Sequence, residues 1–135
     1  MVNSVTPFLM FQGGQCEPAL DLYVSAVPDS RILDMVRWGP GGPGGPAAEG
    51  QVMLARARIG GLEVKFSDTP IKHAFDFTPS SSLFVECASR EEQDRIAAAL
   101  AEGGEWLMGL GDYGFSQRFG WLNDRFGVSW QLNLA

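Results

Sequence analysis

A chain of 135 residues suffices for one domain or two small halves sharing a core, and its 45% apolar content is enough to bury one. Sixteen acidic residues against ten scattered basic ones give a formal charge of −6, which argues against nucleic-acid backbones and anionic membranes as partners. No apolar run approaches the roughly 20 residues of a membrane span. The N-terminus has no basic n-region, and Gln12-Gly13-Gly14 breaks its apolar run, so a cytoplasmic protein without a signal peptide is expected. Cys16 and Cys87 lie far apart with no CxxC, which suits neither a disulfide framework nor a zinc knuckle. Cys87 reads as a buried small hydrophobe. Cys16 stands just before a predicted helix, where the dipole can favour a thiolate.

In chain order, the continuous apolar run Val5 to Gln12 predicts a strand buried on both faces, with Pro7 near its start or on an edge. A helix follows with Pro18 in its first turn. Ala19, Leu22, Tyr23 and Ala26 recur at i, i+3, i+4 and i+7 and form its inner face. Pro28-Asp29-Ser30 stops it, and Arg31 to Trp38 predicts a second strand. Gly39 to Pro46 (GPGGPGGP) cannot offset its ordering entropy by burial. It is expected to be an exposed mobile connector or a flexible lid, and it lacks the Lys and Ser/Thr of a phosphate loop. Gln51 to Ile59 and Leu62 to Phe66 predict a hairpin turning at Gly60-Gly61, since both positions tolerate positive φ. Ser67 to Pro79 reads as a crossover with two prolines, and Ser82 to Ala88 as a strand. Ser89-Arg90-Glu91-Glu92 is a capping box opening a helix with Ile96, Ala99 and Leu100 inward, ended by Gly103-Gly104. Glu105 to Leu110, Phe115 to Leu122 and Val128 to Leu134 supply three more strands, the last two joined by Asn123-Asp124-Arg125-Phe126-Gly127.

The order strand, helix, three strands therefore occurs twice. It predicts an α+β protein of two βαβββ modules, 1–67 and 80–135, joined by a crossover over 68–79 within a single domain 1–135. Two curved sheets of this kind leave a concave face for a ligand.

The motifs TPFLMFQG, ALDLYVSAVPDS, IGGLEVKFSD, SLFVECASREE and GWLNDRFGVSWQLN resemble the PhnB-like branch of the glyoxalase/bleomycin-resistance/dioxygenase (vicinal oxygen chelate) superfamily. Members of that branch are often labelled demethylubiquinone methyltransferase-like. The resemblance runs from about Thr6 to Leu134. It implies the paired βαβββ fold, a homodimer, and pockets between sheet faces. It also implies a divalent metal held by His and Glu on the first and last strands of each half. By register those ligands fall near Thr6, Ser82 and Gln131, none of which is His, Asp or Glu. The only histidine, His73, lies in the crossover. A metal site of the superfamily type is therefore not expected, and no cofactor is predicted; a divalent metal would need non-standard ligands.

Several residues remain as candidates for chemistry. His73, with an unperturbed pKa of about 6.5, suits proton transfer, against its reading as a solvated loop residue. Glu86 faces away from Val85 and Cys87; it is a candidate base if buried, or an ordinary ion-paired carboxylate. Arg56, Arg58 and Arg118 are strand arginines that suit either an anion clamp or cross-strand salt bridges. Phe8, Phe84, Trp121 and Trp130 divide between core and pocket wall, with Thr6, Ser82 and Gln131 as polar fixers. No Gly-rich methyl-donor motif is present, which discounts the methyltransferase label. The leading expectation is a metal-free, dimeric protein that binds a small apolar or aromatic molecule. The alternative is a lyase, isomerase or dioxygenase of the same fold, using a metal or the acid–base groups Glu86 and His73.

Overall fold

The structure, a computed structural model, describes residues 1–135. It comprises two compact units, Met1–Ala74 and Phe75–Ala135, so the division falls inside the expected crossover. The first unit contains β1 (Phe8–Phe11), α1 (Cys16–Ala26), β2 (Arg31–Arg37), β3 (Val52–Ile59) and β4 (Leu62–Asp68). The second contains β5 (Ser82–Glu86), α2 (Arg90–Ala101), β6 (Glu105–Gly111), β7 (Arg118–Asn123) and β8 (Ser129–Leu134). The two sheets have the orders β1-β4-β3-β2 and β5-β8-β7-β6. In each, the strand before the helix runs parallel to the last strand, and the other pairs are antiparallel. The protein is thus α+β with two βαβββ modules, as the repeated order implies.

In the first unit Phe66 is the centre of the core, its ring 6.2 Å from both Phe11 and Tyr23. Its cross-strand partner Ala55 and the neighbouring pair Ala57 and Val64 share that face and are fully buried. The side of α1 that meets them is Cys16, Ala19, Leu20 and Tyr23. This corrects the predicted face: Leu22 and Ala26 are only half-buried, because the i, i+3, i+4, i+7 series starts at Cys16 rather than Ala19. β1 also differs from expectation. It is an edge strand, Phe8 is 53% exposed, and only Phe11 is buried, since α1 covers one face of the sheet. The strand begins after Pro7, which has no amide to donate; its carbonyl instead accepts from Lys65 N at 2.9 Å.

The N-terminus of α1 has no side-chain cap at Gln15, and Asp68 at the end of β4 serves instead, accepting from Cys16 N at 3.2 and 3.3 Å. Burial raises the Asp68 pKa, and backbone N–H groups of Cys16, Val52, Gln15 and Gly14 oppose that rise. A folded pKa above the unfolded one means the proton is held more tightly in the native state. This contribution is therefore full below about pH 4 and is lost as pH rises through the folded value. The stability advantage of wild type over Asp68→Asn is expected to shrink from acidic to neutral pH, read from urea midpoints across that range. A gap that widens with pH contradicts the assignment.

Cys16 is not a thiolate. It is fully buried, and burial, Asp68 and Glu17 push its pKa far up. Burial, then Glu92 and Glu86, raise Cys87 to about 11. Native protein is expected to resist a chromogenic disulfide reagent at neutral pH and to yield both thiols on unfolding; rapid native labelling contradicts this.

The Gly/Pro segment is pinned at both ends rather than loose. Trp38 exchanges backbone hydrogen bonds with Gly50 and Gln51 at 2.8 Å, and its Nε1 donates to the Asp68 carbonyl at 2.9 Å. Gly45–Ala47 forms a single 3₁₀ turn, and a Cβ on Gly44 would stand 2.6 Å from Pro70 Cβ. Of the two expectations, connector and lid, the structure shows a mostly exposed loop that packs on its own unit at Trp38 and Gly44.

In the second unit Ser89 Oγ accepts from Glu92 N at 3.1 Å, and Glu92 Oε1 accepts from Ala88 N at 2.9 Å, so the return bond of the capping box goes to the residue before the N-cap. The buried face of α2 is Gln93, Ile96, Ala97 and Leu100, with Ala99 only half-buried. Gln93 is fully buried and its Nε2 donates to the carbonyls of Arg118 and Leu132 at 3.0 and 3.2 Å, tying α2 to β7 and β8. Trp130, Leu132 and Leu122 fill the core beneath.

Candidate functional site

Strand alternation sends every second side chain to the face opposite the helix. In the first unit that face carries Phe8 and Met10 from β1, Lys65 opposite Phe8, and Arg56 opposite Lys65, while Thr6 precedes the strand. Arg56 is occupied there. Its Nε and Nη2 reach Asp34 Oδ2 at 2.8 and 2.7 Å, and Nη1 reaches Glu63 Oε1 at 3.1 Å. This is the cross-strand salt bridge, not an open anion clamp, and at this exposure solvent screening leaves each pair little net stabilisation. His73 lies beyond β4, where its backbone N–H donates to Gln12 Oε1 at 2.7 Å and Nε2 lies 3.3 Å from Thr69 Oγ1.

The second unit brings more of the expected residues together. Ser82, Phe84 and Glu86 follow one another on one face of β5, opposite Ser129, Gln131 and Asn133 of β8. Trp121 of β7 pairs with Gln131, and Phe119 with Asn133, extending the same face. Two features dominate it. The first is polar: Trp121 Nε1 donates to Ser129 Oγ at 2.7 Å, and Ser129 Oγ lies 2.7 Å from Ser82 Oγ. The second is aromatic: the 52% exposed Phe84 lies 6.2 Å from buried Phe119, which also meets Phe115 at 5.0 Å and Tyr113 at 6.2 Å. Glu86 is exposed at the far end, both carboxylate oxygens accepting from Asn133 Nδ2 at 3.3 and 3.1 Å. Asn133 is 7% exposed, and its Oδ1 is buried with no hydrogen-bond partner.

Two expected ligand residues do not join this face. Trp130 pairs with Leu122 on the α2 side and is fully buried, its indole N–H donating to Asp124 Oδ2 at 2.9 Å. Arg118 also lies on the α2 side, its Nη1 2.6 Å from Asp94 Oδ1. The cause is register, because a residue adjacent to a pocket-facing position points the opposite way. The residues missed, Phe119, Ser129 and Asn133, sit two positions from Trp121 or Gln131. Stepping by two from either one recovers them.

The residues at the positions implied for a metal do not suit one. Thr6, Ser82 and Gln131 are neutral, and no group of three or more His, Cys, Asp or Glu side chains converges to hold an ion. No helix is long and apolar enough to cross a membrane.

A family model described as 3-demethylubiquinone-9 3-methyltransferase matches residues 3–133. Among solved structures, a PhnB protein from Bacillus cereus given the same description is 44% identical with a TM-score of 0.91, over 98% of this chain and 100% of that one. A protein from Pseudomonas aeruginosa is 29% identical with a TM-score of 0.83, over 98% of each chain. A glyoxylase/bleomycin resistance protein/dioxygenase domain from Frankia shares the fold at 14% identity and a TM-score of 0.62, over 100% of this chain and 93% of that one. No curated protein matches.

Proposed function

The chain belongs to the family described as 3-demethylubiquinone-9 3-methyltransferase, a PhnB-like branch with the glyoxalase/bleomycin-resistance fold, and on that premise we propose that it binds a small aromatic molecule without a superfamily-type metal. The observation that carries this is the exposed Phe84 ring. It stands against Phe119, on the face that also holds Ser82, Trp121 and Gln131. Apolar wall with a few polar groups is the usual make-up of a small-molecule site. The methyl-transfer description is not carried over, because a fold does not by itself assign a reaction. Phe84→Ala is expected to weaken binding of ethylnaphthalene about tenfold, since a ring–ring contact adds roughly 0.5–1.5 kcal/mol to the area it buries. Titration with fluorescence detection measures this, and an unchanged dissociation constant sinks the reading.

A second reading, acid–base catalysis by Glu86, is favoured by one observation: Asn133 holds both its carboxylate oxygens on that same face. Under it, Glu86→Gln keeps the aromatic affinity and abolishes turnover. His73 belongs to the first unit.

We further propose a cytoplasmic homodimer. Phe8, Val36 and Leu54, on the first unit's open face, are 53%, 50% and 36% exposed, apolar side chains that a second copy would cover. Sedimentation of wild type and Phe8→Glu decides it: a wild-type monomer at high micromolar concentration removes the proposal.

A further inference from the structure

Hydrogen-bond direction on the β5–β8–β7 face determines which group is left to meet a ligand. An indole N–H can only donate, so the Trp121–Ser129 bond of 2.7 Å makes Ser129 Oγ the acceptor. Ser129 is 1% exposed, and its own proton must find a partner, because buried hydroxyls are satisfied with few exceptions. The acceptor in reach is Ser82 Oγ at 2.7 Å, which orients the chain Trp121 to Ser129 to Ser82. The Ser82 proton then has only the Pro79 carbonyl at 3.5 Å, beyond the 2.5–3.0 Å of an O–H···O bond. Ser82 is half-exposed, so its donor can turn to an incoming group. Each bond in such a chain also polarises the next, which makes the terminal hydroxyl a better donor than an isolated serine.

We propose that the Ser82 hydroxyl, at the end of the Trp121–Ser129–Ser82 relay, fixes the carbonyl oxygen of an aromatic ketone or aldehyde whose ring lies on Phe84. Ser82 and Phe84 are two residues apart on β5, about 6.6–6.8 Å, which is the reach of a carbonyl group attached to a ring resting on Phe84. The register that implied a metal ligand at Ser82 thus ends in a neutral donor, and the acceptor oxygen is met by hydrogen bonding. Ser82 touches the ligand; Ser129 and Trp121 are positioning residues. The inference rests on the aromatic site proposed above.

The test compares acetonaphthone with ethylnaphthalene, which differ by the carbonyl oxygen. Wild type is expected to prefer acetonaphthone about tenfold, the worth of one good hydrogen bond. Ser82→Ala abolishes the preference between the two probes. Ser82→Thr, which keeps the hydroxyl, restores it. Acetonaphthone also shifts the Trp121 indole N–H resonance downfield in wild type and not in Ser129→Ala, a signature that a purely structural serine would not give. Equal affinity for the two probes, or a preference that survives Ser82→Ala, overturns the relay while leaving the aromatic site standing. Failure of both probes to bind overturns the site itself.

Discussion

Asp124→Ala is expected to cost about 4 kcal/mol, the largest single-residue loss among the polar groups of the second unit. Asp124 is 3% exposed and lies in the β7–β8 connection. Its Oδ1 accepts from Phe126 N at 2.8 Å and Val128 N at 3.1 Å, and its Oδ2 accepts from Trp130 Nε1 at 2.9 Å. Alanine leaves these donors without their acceptor, and each buried unpaired donor costs about 1–3 kcal/mol. It also frees the indole that fixes Trp130, the largest fully buried side chain. Asp124→Asn keeps one acceptor oxygen for the two backbone amides but turns an amide N–H₂ toward the indole, so about half the loss is expected. Urea unfolding followed by tryptophan fluorescence is well placed to measure both, because Trp106, Trp121 and Trp130 lie in this unit and only Trp38 lies in the other. A loss under about 1 kcal/mol for Asp124→Ala means water replaces the carboxylate and the turn is not held as described.

Gly104→Ala is expected to cost about 3 kcal/mol although the backbone there is open to any residue. A Cβ on Gly104 falls 2.2 Å from the Asn123 carbonyl oxygen and 2.9 Å from Asp124 C. Both are backbone atoms, one at the end of β7 and one at the start of the β7–β8 connection, so no side chain can move aside, and the path from α2 into β6 must shift. Gly109→Ala is the control: it lies in β6 with nothing within 4 Å of its Cβ, and substitution is expected to be neutral within about 0.5 kcal/mol. If both substitutions cost the same, the close approach is not what requires glycine at 104. Together with Asp124, this locates the second unit's tightest packing at the turn closing its sheet.

Much of the architecture was legible because it rests on local signals. Gly60 and Gly61 adopt φ of 58° and 90°, the left-handed values their hairpin was expected to need. Ser89 and Glu92 form the predicted capping box, and the βαβββ order repeats as read from the apolar runs. Legibility fell where a long-range partner decides. Asp68 sits 52 residues from the helix end it caps, and neither a propensity nor a spacing points to it. The Gly/Pro segment reads as loose because its own residues bury little; Trp38, Gln51 and Pro70 are what hold it.

For the candidate site, residue types and alternation in the sequence placed Ser82, Phe84 and Glu86 on one face of a strand, and the structure shows them there. Pairing register, which no single strand contains, decided the rest. It set Ser129 against Ser82, so that two ordinary serines and an indole became one directed chain, and it turned Trp130 and Arg118 to the helix side. A one-residue step in a strand reverses the face, so composition can nominate a binding residue, but only the paired sheet determines which way it points.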